Sequence, residues 1–167
     1  MNKTIIGFVA AIIVLGGLIW TARPDAKNAS LLPTSESGNN GTLTVEEANN
    51  YDFGTISMAA GKVKYTFKIK NTSSEAINIE RIYTSCMCTT ATLTIGDKQF
   101  GPYGMPGHGA IPRINQAVNP NEEAAVEVVF DPAAHGPAGV GRIQRVVTLE
   151  DSAGRLVELQ FAAIVTP

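Results

Sequence analysis

The chain is poor in the residues on which most chemistry depends. Its 167 residues include two cysteines, two histidines and one tryptophan. Cys86 and Cys88 sit one residue apart, too close to form the disulfide framework that staples a small secreted fold. Charged residues make up only 17% of the chain, and the net charge is −2. The basic residues are dispersed, so there is no electrostatic footprint for nucleic acid. The sequence has no Gly-x-Ser-x-Gly elbow, phosphate-binding loop or His-Glu-x-x-His helix. No serine is placed by a recognisable turn to complete a triad with Asp131 and His135. Glu122-Glu123 and Glu150-Asp151 read as solvated charges at strand ends rather than a carboxylate pair. The expectation is a protein that is not an enzyme.

What is present begins with a long apolar run. No charge interrupts Thr4 to Ala22, and as a helix that stretch spans roughly 28 Å, close to a bilayer's hydrocarbon thickness. Lys3 precedes it, and Trp20 near its end with Arg23 and Lys27 beyond it are the usual kinds of interfacial anchor. Residues 1–22 are therefore expected to be a transmembrane signal-anchor. The competing reading is a cleaved signal peptide, but Trp20-Thr21-Ala22 and Pro24-Asp25-Ala26 both spoil the small-residue cleavage pattern. No cysteine follows for lipoprotein processing. Both readings put the remainder on the extracytoplasmic side, although the flanking charges are nearly silent on orientation. Residues 23–41 are small and polar with Pro24 and Pro33, a flexible spacer.

From Thr42 the hydrophobic period becomes two. Val63, Tyr65, Phe67 and Ile69 alternate with Lys62, Lys64, Lys68 and Lys70, the pattern of a half-buried strand. The lysine stripe reads as a solvent face protecting a possible edge strand. Asn71-Thr72-Ser73-Ser74 supplies turn residues before Ile77, Ile79 and Ile82. Further strands are expected at Leu43–Val45, Tyr51–Phe53, Thr92–Thr94, Val126–Phe130, Val147–Leu149 and Val157–Val165, with a tight hairpin at Asp151-Ser152-Ala153-Gly154. About seven to eight short antiparallel strands in residues 42–167 indicate an all-β sandwich of immunoglobulin-like type, a small barrel being the alternative.

Several pieces of this pattern resemble a known family. Tyr51-Asp52-Phe53-Gly54-Thr55-Ile56, Gly61, Phe67-Lys68-Ile69-Lys70-Asn71 and Val128-Val129-Phe130-Asp131 occur in an order similar to the domain of unknown function 1573 family. Thr84-Ser85-Cys86-Met87-Cys88-Thr89 resembles its Thr-Ser-Cys-Gly-Cys-Thr signature, with Met87 where glycine is usual. The resemblance covers about residues 43 to 166 and implies a bacterial cell-envelope domain with an immunoglobulin-like, major-sperm-protein-like sandwich. It implies no reaction. Ile95 to Asn121 departs from it as a longer connection.

Chemistry concentrates at Cys86-Met87-Cys88. In extended backbone, residues two apart point to one side, so both sulfurs can converge. Three readings stand. Thiolates and thioethers select Cu(I), and Met105 and His108 in the Gly-rich loop offer two more ligands, with Met87 and His135 as weaker candidates. Zinc fits less well, because structural zinc sites space their cysteines more widely. Alternatively the pair closes a small, redox-labile disulfide in an oxidising compartment, or it is inert packing near a turn. The resulting expectation is a tethered binding module, for Cu(I) or for an envelope protein partner.

Overall fold

The computed structural model describes residues 43–107 and 111–167. The expected anchor and spacer, and His108, lie outside the described residues. Among the described residues no helix is long and apolar enough to cross a membrane.

Ten strands form two five-stranded sheets. They are β1 (Leu43–Val45), β2 (Asn50–Ser57), β3 (Val63–Asn71), β4 (Ile77–Thr84) and β5 (Thr89–Ile95), followed by β6 (Lys98–Tyr103), β7 (Gln116–Val118), β8 (Glu123–Phe130), β9 (Gly141–Asp151) and β10 (Leu156–Thr166). One sheet runs β1-β3-β8-β5-β6 and the other β2-β10-β9-β4-β7. Alternation decides the facing of each strand. Phe67, Ile69, Val126, Val128 and Phe130 from the first sheet meet Ile82, Val147, Leu149, Leu159 and Phe161 from the second in one buried core. Phe130 and Phe161 touch across it with ring centroids 5.4 Å apart. Each such side chain contributes about 1.5–3 kcal/mol by leaving water.

Three expectations need correction. Strands β6 and β7 are two more than the pattern predicts, because both lie in the Gly- and Pro-rich stretch that reads as a connection. Gly101 explains the disguise: it has φ +119°, and a Cβ there would meet Ala91 O at 3.0 Å, so only glycine lets β6 lie this close to β5. The sandwich is also not wholly antiparallel, since β2 runs parallel to β10. Those strands come from opposite ends of the domain, and such long-range pairing leaves no trace in local periodicity. Finally, β3 is not an edge strand, for it lies between β1 and β8. Its lysines answer glutamates: Lys64 reaches Glu127 at 3.1 Å, and Lys70 reaches Glu123 at 3.3 Å. Those cross-strand pairs favour the observed register over a slipped one.

Loop chemistry closes the frame. Asn71, wholly buried, donates to Glu75 O and Val118 O and accepts from the Ser73 amide and hydroxyl, tying the end of β3 to β7. The hairpin between β9 and β10 falls where the sequence places it. There Asp151 accepts from the amides of Ala153 and Arg155 and pairs with the Arg155 guanidinium at 2.6 Å.

Candidate functional site: a sulfur pair between two sheet-crossing arches

The chain changes sheets at one end of the sandwich. Ser85–Cys88 carries it from β4 in one sheet to β5 in the other, and residues 131–140 carry it back from β8 to β9. Because β5 pairs with β8 and β4 pairs with β9, the two arches lie side by side. The Asp131 amide donates to Cys88 O at 2.9 Å and joins them.

Backbone and hydroxyl bonds shape the first arch. Ser85 N donates to Val146 O at 2.9 Å, and Val146 N returns a bond to Ser85 Oγ at the same distance. The buried Thr84 hydroxyl reaches Cys86 O at 2.9 Å and Thr89 O at 3.1 Å. This holds the corner tightly enough that both cysteines turn inward while Met87, 52% exposed, points out.

Cys86 and Cys88 are joined as a disulfide. Cys86 Sγ lies 3.1 Å from His135 Nε2, and Arg145 Nε donates to Cys88 Sγ at 3.4 Å. The two sulfurs and a ring nitrogen of His135 all lie within 4.8 Å of one another. Asp131 sets the second arch by accepting from Ala133 N at 2.9 Å, the Asx turn that begins the path to His135.

Of the residues singled out in the sequence, Cys86, Cys88 and His135 come together. His135 is there because β8 ends where β5 begins, a pairing no local pattern reveals. Met105 lies on neither arch but just after β6, lining an open groove of about 590 Å³ with Met87, Tyr103, Pro102, Ile111 and Pro112. Burial pushes the Tyr103 hydroxyl above the ordinary tyrosine value. Sequence reasoning missed Arg145. Its signal was available: Ile143, Val147 and Leu149 are the inward residues of β9, and Arg145 occupies the same phase. A cation at a core-facing position needs a partner, and here that partner is sulfur.

Residues 43–99 match the sequence model of a family described as a protein of unknown function (DUF1573). The match takes in both cysteines and stops before β6 is complete, short of the wider resemblance read from the sequence. No curated protein matches the chain. Among solved structures, the chain is similar to a protein of unknown function from Porphyromonas gingivalis W83, with 13% identity, a TM-score of 0.53, 74% of this chain covered and 47% of that one. It is also similar to a family 123 glycoside hydrolase from Clostridium perfringens, with 7% identity, a TM-score of 0.50 and coverages of 72% and 23%. The chain thus spans about half the length of the first protein and a quarter of the second. At such identities the likeness is one of fold alone.

Proposed function

We propose that the chain is a membrane-tethered, extracytoplasmic binding module of the cell envelope that takes Cu(I) when its cysteines are reduced. One observation carries the reading: Cys86, Cys88 and His135 present three ligand atoms within 4.8 Å of one another. Two thiolates and an imidazole suit a soft monovalent ion that accepts two to four ligands. Arg145 beside Cys88 offsets part of the charge that two thiolates concentrate in a buried corner. The thioethers of Met87 and Met105 line the adjoining groove and make it a soft-ligand approach to the corner. The tether rests on the apolar run from Thr4 to Ala22, and a Cys86–Cys88 disulfide fits an oxidising compartment.

The test is Cu(I) titration of the reduced full chain in detergent under anaerobic conditions, against a chromophoric competing chelator. About one Cu(I) per chain is expected, none in a Cys86→Ser, Cys88→Ser double variant. His135→Ala should weaken binding by at least about tenfold, a cost that even outer-shell partners of a metal carry. Unchanged stoichiometry in the double variant overturns the reading.

The disulfide itself favours a second reading, an envelope scaffold that captures a partner protein while the bonded pair shapes the arch. In that case partner capture from solubilised envelopes persists in the same double variant.

A further inference from the structure

The two sulfurs have unequal surroundings. Cys86 Sγ faces His135, an exposed residue, and Cys86 keeps the larger exposure of the pair, 7% against 3%. Cys88 Sγ is enclosed by the half-buried Arg145 guanidinium at 3.4 Å and the buried Thr89 hydroxyl at 3.6 Å. Arg145 is itself fixed, because its Nη1 donates to Gln144 O at 2.8 Å. Cys86 is therefore the less enclosed end of a buried bond, beside an exposed residue, and the other end rests against a permanent positive charge. Thiol–disulfide exchange depends on which sulfur can be approached and on how well the other carries negative charge away. Cys86 Sγ has a neutral donor in the Cys88 amide at 3.2 Å, but only Cys88 Sγ has a full positive charge beside it, so both conditions select the same direction.

We infer that the Cys86–Cys88 disulfide is a redox centre that accepts two electrons from a dithiol, with Cys86 as the attacked sulfur and Cys88 as the leaving one. One substrate thiolate attacks Cys86 Sγ. The S–S bond breaks, and its electron pair departs on Cys88 Sγ, where the Arg145 Nε–H stabilises the thiolate. The substrate's second thiolate then attacks its own sulfur in the mixed disulfide and releases Cys86 as a thiolate. The substrate leaves as a disulfide, Cys86 and Cys88 are left reduced, and the two protons the substrate thiols gave to water return to them. This exchange uses the sulfurs proposed to hold Cu(I) but needs no metal.

The test uses the oxidised full chain in detergent with a metal chelator present throughout. Dithiothreitol in one arm and a reduced Cys-x-x-Cys peptide in the other are followed by free-thiol release. A faster reaction with the peptide identifies a protein dithiol as the substrate; equal or faster reaction with dithiothreitol identifies a small one. In parallel, glutathione adducts are trapped with acid and mapped by mass spectrometry. The adduct is expected on Cys86. Arg145→Gln should slow reduction by about three- to tenfold, from loss of the positive charge beside the leaving sulfur, and Arg145→Lys should recover part of that. An adduct on Cys88, a rate indifferent to Arg145→Gln, or a bond that opens only in denaturant each overturns the inference. If the glutamine variant fails to fold, the mapping on the unaltered chain and the lysine variant still decide it. Exchange that survives where Cu(I) binding fails would isolate the failure to the metal reading.

Discussion

Reducing the Cys86–Cys88 bond should leave the sandwich folded. The bond joins residues separated by two positions, so it removes little freedom from the unfolded chain. With Cys86, Met87 and Cys88 as the closed loop, the loop-entropy relation gives about 1.6 kcal/mol at 25 °C. The arch has other restraints that reduction does not touch. Thr84 Oγ1 holds two carbonyls, Ser85 exchanges two bonds with Val146, and Asp131 N holds Cys88 O. At about 1 kcal/mol net for each such bond, these outweigh the disulfide. The assay is urea and thermal unfolding of the full chain in detergent by far-ultraviolet circular dichroism, with and without a phosphine reductant. The Cys86→Ser, Cys88→Ser variant serves as the permanently open form. The urea midpoint should fall by about 0.5–1.5 M. The melting temperature should fall by roughly 4–9 °C, with the transition still cooperative. A loss of about 4 kcal/mol or more would make the bond a structural staple. The hydrogen bonds of the arch would then not be what holds it, and the reasoning would be refuted.

Two further outcomes follow from buried polar groups. Asn71→Ala removes four hydrogen bonds, one of them buried, so it should cost about 2–4 kcal/mol in urea unfolding; a loss below about 1 kcal/mol would contradict the accounting. Tyr103 keeps its proton to higher pH folded than unfolded, because burial disfavours the phenolate. Its contribution is complete below the ordinary tyrosine pKa of about 10 and drains as pH rises through the folded value. Stability measured against alkaline pH should therefore fall less steeply above pH ~10 in Tyr103→Phe than in the unaltered chain.

How much was legible in the sequence depended on whether a residue's neighbours were local. Val63 to Ile69 and Leu159 to Val165 announce their faces because alternation is a property of the strand itself. Strands β6 and β7 are hidden because one carries Gly101 and Pro102 and the other, Gln116-Ala117-Val118, offers a single large apolar residue and no alternation. The cysteine corner was visible as a motif, whereas its partners were not. His135 and Arg145 are 49 and 57 positions from their sulfurs, and only the pairings of β5 with β8 and β4 with β9 bring them near. Met105 was chosen for its company in a Gly-rich loop, and that loop builds a groove wall beside Met87.

The two side-by-side arches separate what can vary from what cannot. The sulfur cluster is built from Cys86–Cys88, Thr89, His135 and Arg145. Strand β6 and the chain that follows it form an excursion between β5 and β8, two neighbouring strands that would remain paired without it. The domain therefore has the architecture of a fixed reactive corner with an exchangeable wall. Descendants of such a chain can lengthen, shorten or recompose residues 105–113, and so change what the groove admits, while inheriting the sulfur, imidazole and guanidinium unaltered. The limits on that freedom lie at Gly104, whose carbonyl accepts from the Thr84 amide at 3.1 Å, at Ile114, whose amide donates to Glu80 O at 2.8 Å, and at Val118, whose carbonyl Asn71 needs. Diversification should stop short of β7.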